Sequence, residues 1–303
     1  QDIPIELIIA DTIVSPKFDS VKTSCLGLIC GTDGNCGRWG WGELNMDYYP
    51  DDCDTEATVY LYEGTPIVGW VEGDDTVITN SIWSGSYTNV GFRPQGGEVK
   101  GQLCPVIDAE VFHTGTFTTQ DSTIGLQRIY VAPKSGDCNF ILQYTKVWSY
   151  DNAAHTGLVI GDGIDWDIPT DYPIGDTLNE VDVANTGHFD LDRSLVYMRG
   201  FEKYGADGED TLYPYNCQNN DARYGGHAMI ASYLNGSPRS TDAYGGFSVM
   251  NDSMQVVTDG YAPGKLYRWM ATPGYAAADS LQDLSAVLTY EFDYDLGATD
   301  TLE

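Results

Sequence analysis

The sequence is short of positive charge: its 303 residues include 15 lysines and arginines against 45 aspartates and glutamates, a formal net charge of −30 at pH 7. A chain with this charge repels phosphate backbones and anionic lipid, so nucleic acids and membrane surfaces are poor partners. The acid is mostly aspartate, with 33 Asp, 12 Glu and only 7 Lys. We expect loops that bind Ca²⁺, a solvated surface adapted to high salt, or both.

Long apolar runs are also lacking. No run approaches the ~20 residues that cross a bilayer, and the first residues do not have the pattern of a signal peptide. The chain starts at Gln1, just before a strand-like alternation of Ile3, Ile5, Leu7 and Ile9. A mature chain whose leader has been removed starts in this way. We therefore expect a secreted, extracellular or cell-surface protein without membrane insertion.

Catalytic signatures are missing as well. The sequence has no Gly-x-Ser-x-Gly elbow, no phosphate-binding loop, no dinucleotide fingerprint and no His-x-x-x-His pair. Its four histidines, at positions 113, 155, 188 and 227, are far apart in the chain. The sequence therefore favours a protein that is not an enzyme.

Long amphipathic helices are absent too, and short apolar alternations bounded by turn residues recur along the chain. Strands are predicted at 107–118, 124–132, 140–150, 158–160 and 164–168, a hairpin at 57–71 with its turn at 63–66, and a helical turn at 279–285. A final strand is predicted with Leu288, Tyr290, Phe292, Tyr294 and Leu296 on one face and acidic residues on the other. Strands at this spacing predict an all-β fold, an antiparallel β-sandwich (large or double) formed by residues 1–303 as one unit. A lobe boundary, if there is one, is expected near 91–101.

The cysteines show neither a Cys-x-x-Cys motif nor zinc-like spacing to histidine, so disulfides in an oxidising compartment are the better interpretation. The four that lie in the Cys- and Gly-rich region 20–55 are expected to close small loops. The odd count leaves one thiol over. The seven are Cys25, Cys30, Cys36, Cys53, Cys104, Cys138 and Cys217.

The acidic motif at 162–167 has two functional interpretations. Asp165 and Asp167 point the same way in a strand, with Cβ atoms about 7 Å apart, and carboxylate pairs at about 5–10 Å serve glycosidases. Alternatively, aspartate oxygens from several loops form a Ca²⁺ site. Simple turn capping at a solvated strand end is the third possibility. The predicted metal ligands are Asp151, Asp162, Asp165, Asp167, Asp190 and Asp192.

Four segments carry a resemblance to a known group: 139–151, 165–169, 223–226 and 290–296. With them the chain resembles an uncharacterised module of large all-β secreted proteins from environmental Gram-negative bacteria, over most of its length from about Ile8. The resemblance implies secretion and a natural continuation beyond Glu303, and it carries no assigned activity. The cysteines near the N-terminus depart from it.

Two hypotheses for function follow. The first is a non-enzymatic surface or matrix structural protein, a homo-oligomer or homopolymer that assembles into a filament or layer by β-strand addition. Disulfides and Ca²⁺ would stabilise it. The second is a carbohydrate-binding or glycan-cleaving protein that uses Asp165, Asp167 and some of the 7 tryptophans to stack on sugar rings.

Overall fold

The structure, a computed structural model, describes residues 16–37, 46–48, 58–59, 61–80, 91–102, 108–136, 138–166, 185–202, 213–214, 224–239, 243–249, 263–272, 278–282 and 284–303. In chain order the first strands are β1 (Phe18–Lys22), β2 (Leu26–Gly31), β3 (Cys36–Gly37), β4 (Met46–Tyr48), β5 (Thr58–Val59), β6 (Leu61–Glu72), β7 (Asp75–Asn80), β8 (Phe92–Gly96), β9 (Val99–Gln102), β10 (Ala109–Thr119), β11 (Ile124–Pro133) and β12 (Leu142–Ser149). They continue with β13 (His155–Trp166), β14 (Asn185–Asp190), β15 (Leu195–Glu202), β16 (Tyr213–Pro214), β17 (Tyr224–Ala228), β18 (Ser232–Leu234), β19 (Ser237–Arg239), β20 (Tyr244–Val249), β21 (Ala278–Gln282), β22 (Leu284–Leu296) and β23 (Thr301–Leu302). A 3-10 turn (Leu191–Arg193) and one helix, α1 (Pro263–Met270), complete the described elements.

The strands form three antiparallel sheets. The first sheet has the order β20-β22-β13-β6-β3-β2-β4-β5, with β1 beside β2 and β7 beside β6. The second has the order β19-β18-β23-β12-β11-β10-β8, with β9 beside β10. The third and smallest has the order β16-β15-β14-β21, with β17 beside β15. The all-β prediction is confirmed.

The first two sheets pack face to face, because each strand alternates its side chains between the two faces of its sheet. On β11 every second residue from Ile124 to Ala132 is buried. The inward faces share two apolar clusters: one contains Leu126 with Leu158, and the other contains Tyr130 with Ile164. The resulting sandwich-like core is the setting of the buried site described below.

Helix α1 covers the other face of the first sheet. Its Leu266, Tyr267 and Met270 pack on Ile67 and Val159, which lie on that outer face. The spacing of these three helix residues places them on one side of a helix. The predicted helical turn at 279–285 is wrong, since strands occupy most of that segment.

The predicted hairpin at 57–71 is also wrong, because β6 runs straight through the supposed turn. One edge of β6 pairs with β3 up to Gly64 and with β7 from Ile67 onward. Pro66 lies where the partner changes, a position that tolerates a residue without an N–H group. Likewise β13 is continuous where two short strands were predicted, which moves Asp162 from an expected loop to mid-strand.

The last long strand departs from simple alternation. Pairing between β13 and β22 shifts register near Glu291, and Phe292 joins the helix-covered outer cluster. Glu291 is buried and pairs with Arg239 on β19 of the opposite sheet, instead of facing water. The predicted wet acidic face is therefore confined to Asp293 and Asp295.

The segment at 91–101, where a boundary was expected, supplies β8 and β9 of the second sheet. Described strands before it belong to the first sheet, and β13 then returns to that sheet. None of the described helices is long and apolar enough to cross a membrane.

A buried polar cluster as candidate functional site

An ion pair links the two packed sheets. Arg128 projects inward from β11 of the second sheet, and its Nη2 donates to Oδ1 of Asp162, which projects inward from β13 of the first. Their side chains are only 1% and 3% exposed. A charge buried alone costs several kcal/mol, so each of these two groups requires the other.

Neutral side chains complete the surroundings of Asp162. Its Oδ2 accepts hydrogen bonds from Gln143 Nε2 at 2.9 Å and from the Tyr290 hydroxyl at 3.2 Å. His227 Nε2 lies 3.6 Å from the same oxygen. Both carboxylate oxygens are thus engaged by donors of the protein itself, and a second cation beside the Arg128 guanidinium would be repelled.

The turn between β2 and β3 is tied into this cluster through one carbonyl. Gly34 O accepts from Arg128 Nη1 at 3.1 Å and from the Tyr130 hydroxyl at 3.0 Å. Gly34 has a φ of +83°, and a Cβ there would lie 2.5 Å from the Phe117 ring. Only glycine fits both the conformation and the space. The cluster therefore fixes a turn of one sheet against a strand of the other.

The electrostatics follow from burial and proximity. Burial alone would lower the pKa of Arg128, but the adjacent Asp162 carboxylate outweighs it and the pKa is raised, so the guanidinium stays charged. Burial raises the pKa of the Tyr130 and Tyr290 hydroxyls. Desolvation lowers the pKa of His227, although Asp162 acts in the opposite direction. At neutral pH the cluster is a single ion pair among neutral groups.

A small cavity of about 90 Å³ adjoins the cluster. Arg128, Asp162 and Trp166 are buried in its wall, whereas Gln143 and His227, which also line it, are partly exposed. Arg128 Nε and Trp166 Nε1 are buried without a protein acceptor. Pockets for drug-sized ligands measure about 300–1,000 Å³, so this one has room for a few waters or a very small molecule.

The other predicted metal ligands that the structure describes lie apart from this cluster. Asp151 accepts from Ser149 Oγ and the Ala153 N–H, and its Oδ1 lies 3.0 Å from His155 Nε2. Desolvation raises the pKa of Asp151, but these contacts outweigh it and the pKa is lowered. Asp190 caps the 3-10 turn and pairs with Arg193.

Asp192 is exposed in that same turn, and Asp165 lies directly opposite Glu63 of β6. Asp167, the predicted catalytic partner of Asp165, lies outside the described residues. Within the described ranges no three His, Cys, Asp or Glu side chains are grouped to hold a metal ion. The calcium site stays a prediction, and a fall in Tm on adding a chelator would support it.

The described disulfide does not close one of the small loops that the sequence predicted. Cys25 is bonded to Cys138, 113 residues away, so the expected small loop is wrong for Cys25. Because Cys25 precedes β2 and Cys138 precedes β12, the bond joins the segments that lead into the two packed sheets. Cys30 and Cys36 are buried free thiols in the structure. Cys53, Cys104 and Cys217 lie outside the described residues.

Arg128, Tyr130, Gln143, His227 and Tyr290 were not predicted as site residues. One signal was available: Arg128 occupies an inward position in the alternation of Ile124, Leu126 and Tyr130. A lone arginine on a buried face requires an acidic partner. The sequence does not say which of the 45 acidic residues that partner is.

In comparisons with known proteins, no family model and no curated protein matches the chain. The resemblance to secreted bacterial modules therefore stays a prediction. What the fold and cluster define is a class, an all-β sandwich-like protein with an internal ion pair and a disulfide between its two main sheets.

Proposed function

We propose that the chain is a non-enzymatic extracellular structural protein, of the surface or matrix kind, that associates with copies of itself. The observation that carries the proposal is an apolar patch on the outer face of the second sheet. The disulfide between Cys25 and Cys138 supports an oxidising compartment, where such bonds persist.

The patch is formed by residues that the strand register places side by side. Val131 lies opposite Leu142, and Ile129 lies opposite Tyr144. In the next pairs His113 lies opposite both Ile129 and Val99, which brings Val99 to the same face. We call Val99, Ile129, Val131, Leu142 and Tyr144 the outer patch; Val99, Leu142 and Tyr144 are 59%, 40% and 39% exposed.

The outer face of the first sheet is covered by a helix, whereas that of the second sheet has an exposed apolar patch. Helix α1 buries apolar side chains on the outer face of the first sheet. On the second sheet, the outer patch stays accessible within the described part of the chain. A contiguous exposed apolar surface on a highly charged protein is typical of an interaction site.

A second copy of the chain is the partner that we propose for this patch. Two chains of charge −30 repel each other, so the association must depend on ionic strength. Screening over about 8–10 Å at physiological salt leaves contact-range apolar burial effective. Strand addition by the alternating segment at residues 3–9, which lies outside the described residues, would extend such contacts into a filament or layer.

Light scattering with negative-stain imaging tests the proposal. The wild type should form oligomers as protein and salt concentrations rise, and Leu142→Lys should weaken this association about tenfold or more. Leu191→Lys is the matched control, because Leu191 is 52% exposed but lies outside the second sheet. A wild type that stays monomeric at high concentration and high salt would refute the proposal, as would equal effects of the two variants.

Glycan binding is a second candidate, favoured by aromatic side chains on the same sheet. Tyr144 and Trp148 project to the outer face of β12, and the Trp148 indole lies directly over Gly125. Rings lying on a sheet face suit stacking on sugar rings. In pull-down on insoluble polysaccharides, the wild type should bind and Trp148→Ala should not; no binding by the wild type removes this candidate.

A further inference from the structure

Two buried thiols face each other across neighbouring strands of the first sheet. Cys30 on β2 and Cys36 on β3 are register partners, joined by the turn at 31–35. Their exposed fractions are 0% and 9%, and both belong to the cluster that contains Tyr130. Directly opposed residues of an antiparallel pair point to the same face, so the two side chains converge.

A backbone hydrogen bond shows which of the two types of antiparallel residue pair the cysteines form. The Gly31 N–H donates to Asn35 O at 2.7 Å, one residue beyond each cysteine. The cysteines therefore form the non-hydrogen-bonded type of pair, whose Cα atoms lie about 4.5 Å apart. Disulfides span Cα separations of about 4.4–6.8 Å, so the backbone already meets their requirement.

The next strand leaves room for the sulfur atoms. Gly64 of β6 is the register partner of Cys36 on its other side. A Cβ at position 64 would lie 2.6 Å from Cys36 Sγ. The absence of a side chain at Gly64 thus creates the space in which the Cys36 sulfur sits.

We propose that Cys30 and Cys36 form a second disulfide, a cross-strand bond that closes the turn at 31–35. The two thiols lose two protons and two electrons to a disulfide oxidant, which is itself reduced to two thiols. The reaction passes through a mixed disulfide between the oxidant and one cysteine, which the other cysteine then displaces.

The chemistry places this step before the core closes. The thiolate is the attacking species. Burial raises the pKa of both thiols, that of Cys36 to about 12, so in the folded reduced chain they stay protonated and shielded from an oxidant. The bond therefore forms while the turn is still accessible during folding.

Peptide mapping of the wild type, produced by secretion into an oxidising compartment, tests the proposal. The protein is denatured with an alkylating agent and no reductant, then cut with trypsin after Lys22 and Arg38 and with a protease that cuts before Asp33 and Asp137. Chymotrypsin, cutting after Leu28, separates Cys25 from Cys30. Mass spectrometry should show fragment 29–32 joined to fragment 33–38.

The bond between Cys25 and Cys138 is the internal control. Chymotrypsin also cuts after Leu26 and Phe140, so fragments 23–26 and 137–140 must be joined in the same digest. Alkylated Cys30 and Cys36 would overturn the proposal, and so would a link from either cysteine to Cys53, Cys104 or Cys217. Cys36→Ser should abolish only the link between fragments 29–32 and 33–38 and leave Cys30 alkylated.

Discussion

The two halves of the sandwich core are built from the same strands in different ways. In the first half, β11 contributes Leu126 and β13 contributes Leu158 to a cluster of apolar side chains. A few residues further along, the same strands contribute Arg128 and Asp162. Apolar burial is not directional, whereas the ion pair and its hydrogen bonds fix one arrangement of both sheets and of the turn at Gly34.

The polar half also holds the cavity, the opposed thiols and the disulfide that joins the two sheets. Its buried charges cost desolvation, and covalent and hydrogen-bonded links offset that cost. Apolar side chains are buried in both halves, but only this half adds the directional contacts that fix the two sheets against each other.

The largest effect is expected from the cross-link between the sheets. The double variant Cys25→Ser, Cys138→Ser frees a loop with a sequence separation of 113. Loop-closure entropy of this size corresponds to about 4–5 kcal/mol of unfolding free energy. Urea unfolding of wild type and variant measures the loss, and a loss below about 1 kcal/mol would show that the bond is not a main support of this half.

A cavity in the apolar half should lower the unfolding free energy somewhat less than loss of the disulfide does. Leu126→Ala removes a fully buried side chain, and we expect a loss of about 2–5 kcal/mol. Ile129→Ala is the control, because Ile129 is on the same strand but faces outward and is only partly buried. Equal losses in the two variants would contradict the assignment of inner and outer faces.

Removing one neutral donor from the polar half should have a smaller effect. Tyr290→Phe deletes the hydroxyl that donates to Asp162 Oδ2, and hydrogen bonds to charged groups contribute about 1.5–3 kcal/mol. Tyr150→Phe, at an exposed tyrosine, should change the unfolding free energy by less than about 0.5 kcal/mol. If Tyr290→Phe is as neutral as its control, the hydroxyl does not support the ion pair.

The smallest expected effect is on the pH dependence of the unfolding free energy. The pKa of His227 is lowered in the folded protein, mainly by desolvation, although Asp162 faces it and Arg128 lies beyond. Protonation therefore favours the unfolded chain: stability is full above the ordinary pKa of about 6.5 and is lost as pH falls toward the lowered folded value.

Unfolding free energies measured between about pH 8 and pH 5 should fall toward low pH in the wild type. His227→Gln should flatten that slope, whereas His188→Gln, in the third sheet, should keep it. An unchanged slope in His227→Gln would mean that other groups carry the pH dependence.

The sequence predicted features that depend on neighbouring residues, and it missed features that depend on residues far apart in the chain. Local alternation predicted the strands that became β10, β11 and β12, because burial on one face of a strand leaves a period of two. The turn predicted at Gly64 and Pro66 was wrong. Gly64 instead leaves space for the Cys36 sulfur, and Pro66 lies where β6 changes its strand partner.

The local alternation of side chains could not predict the candidate site. Arg128 and Asp162 lie on different sheets, and their contact exists only once the sheets pack. The partner of Cys25 is equally remote in sequence. The sequence predicts Asp162 as a metal ligand, whereas in the fold it pairs with an arginine that no sequence spacing connects to it.

A double-mutant cycle on the ion pair tests the central claim most directly, namely that Asp162 acts inside the protein as the partner of Arg128. Arg128→Met and Asp162→Leu should each destabilise the fold by about 3–5 kcal/mol, since each leaves a buried charge alone. The double variant should recover much of that loss, with a coupling of at least about 2 kcal/mol. Strictly additive losses would contradict the claim and show that the two side chains act independently.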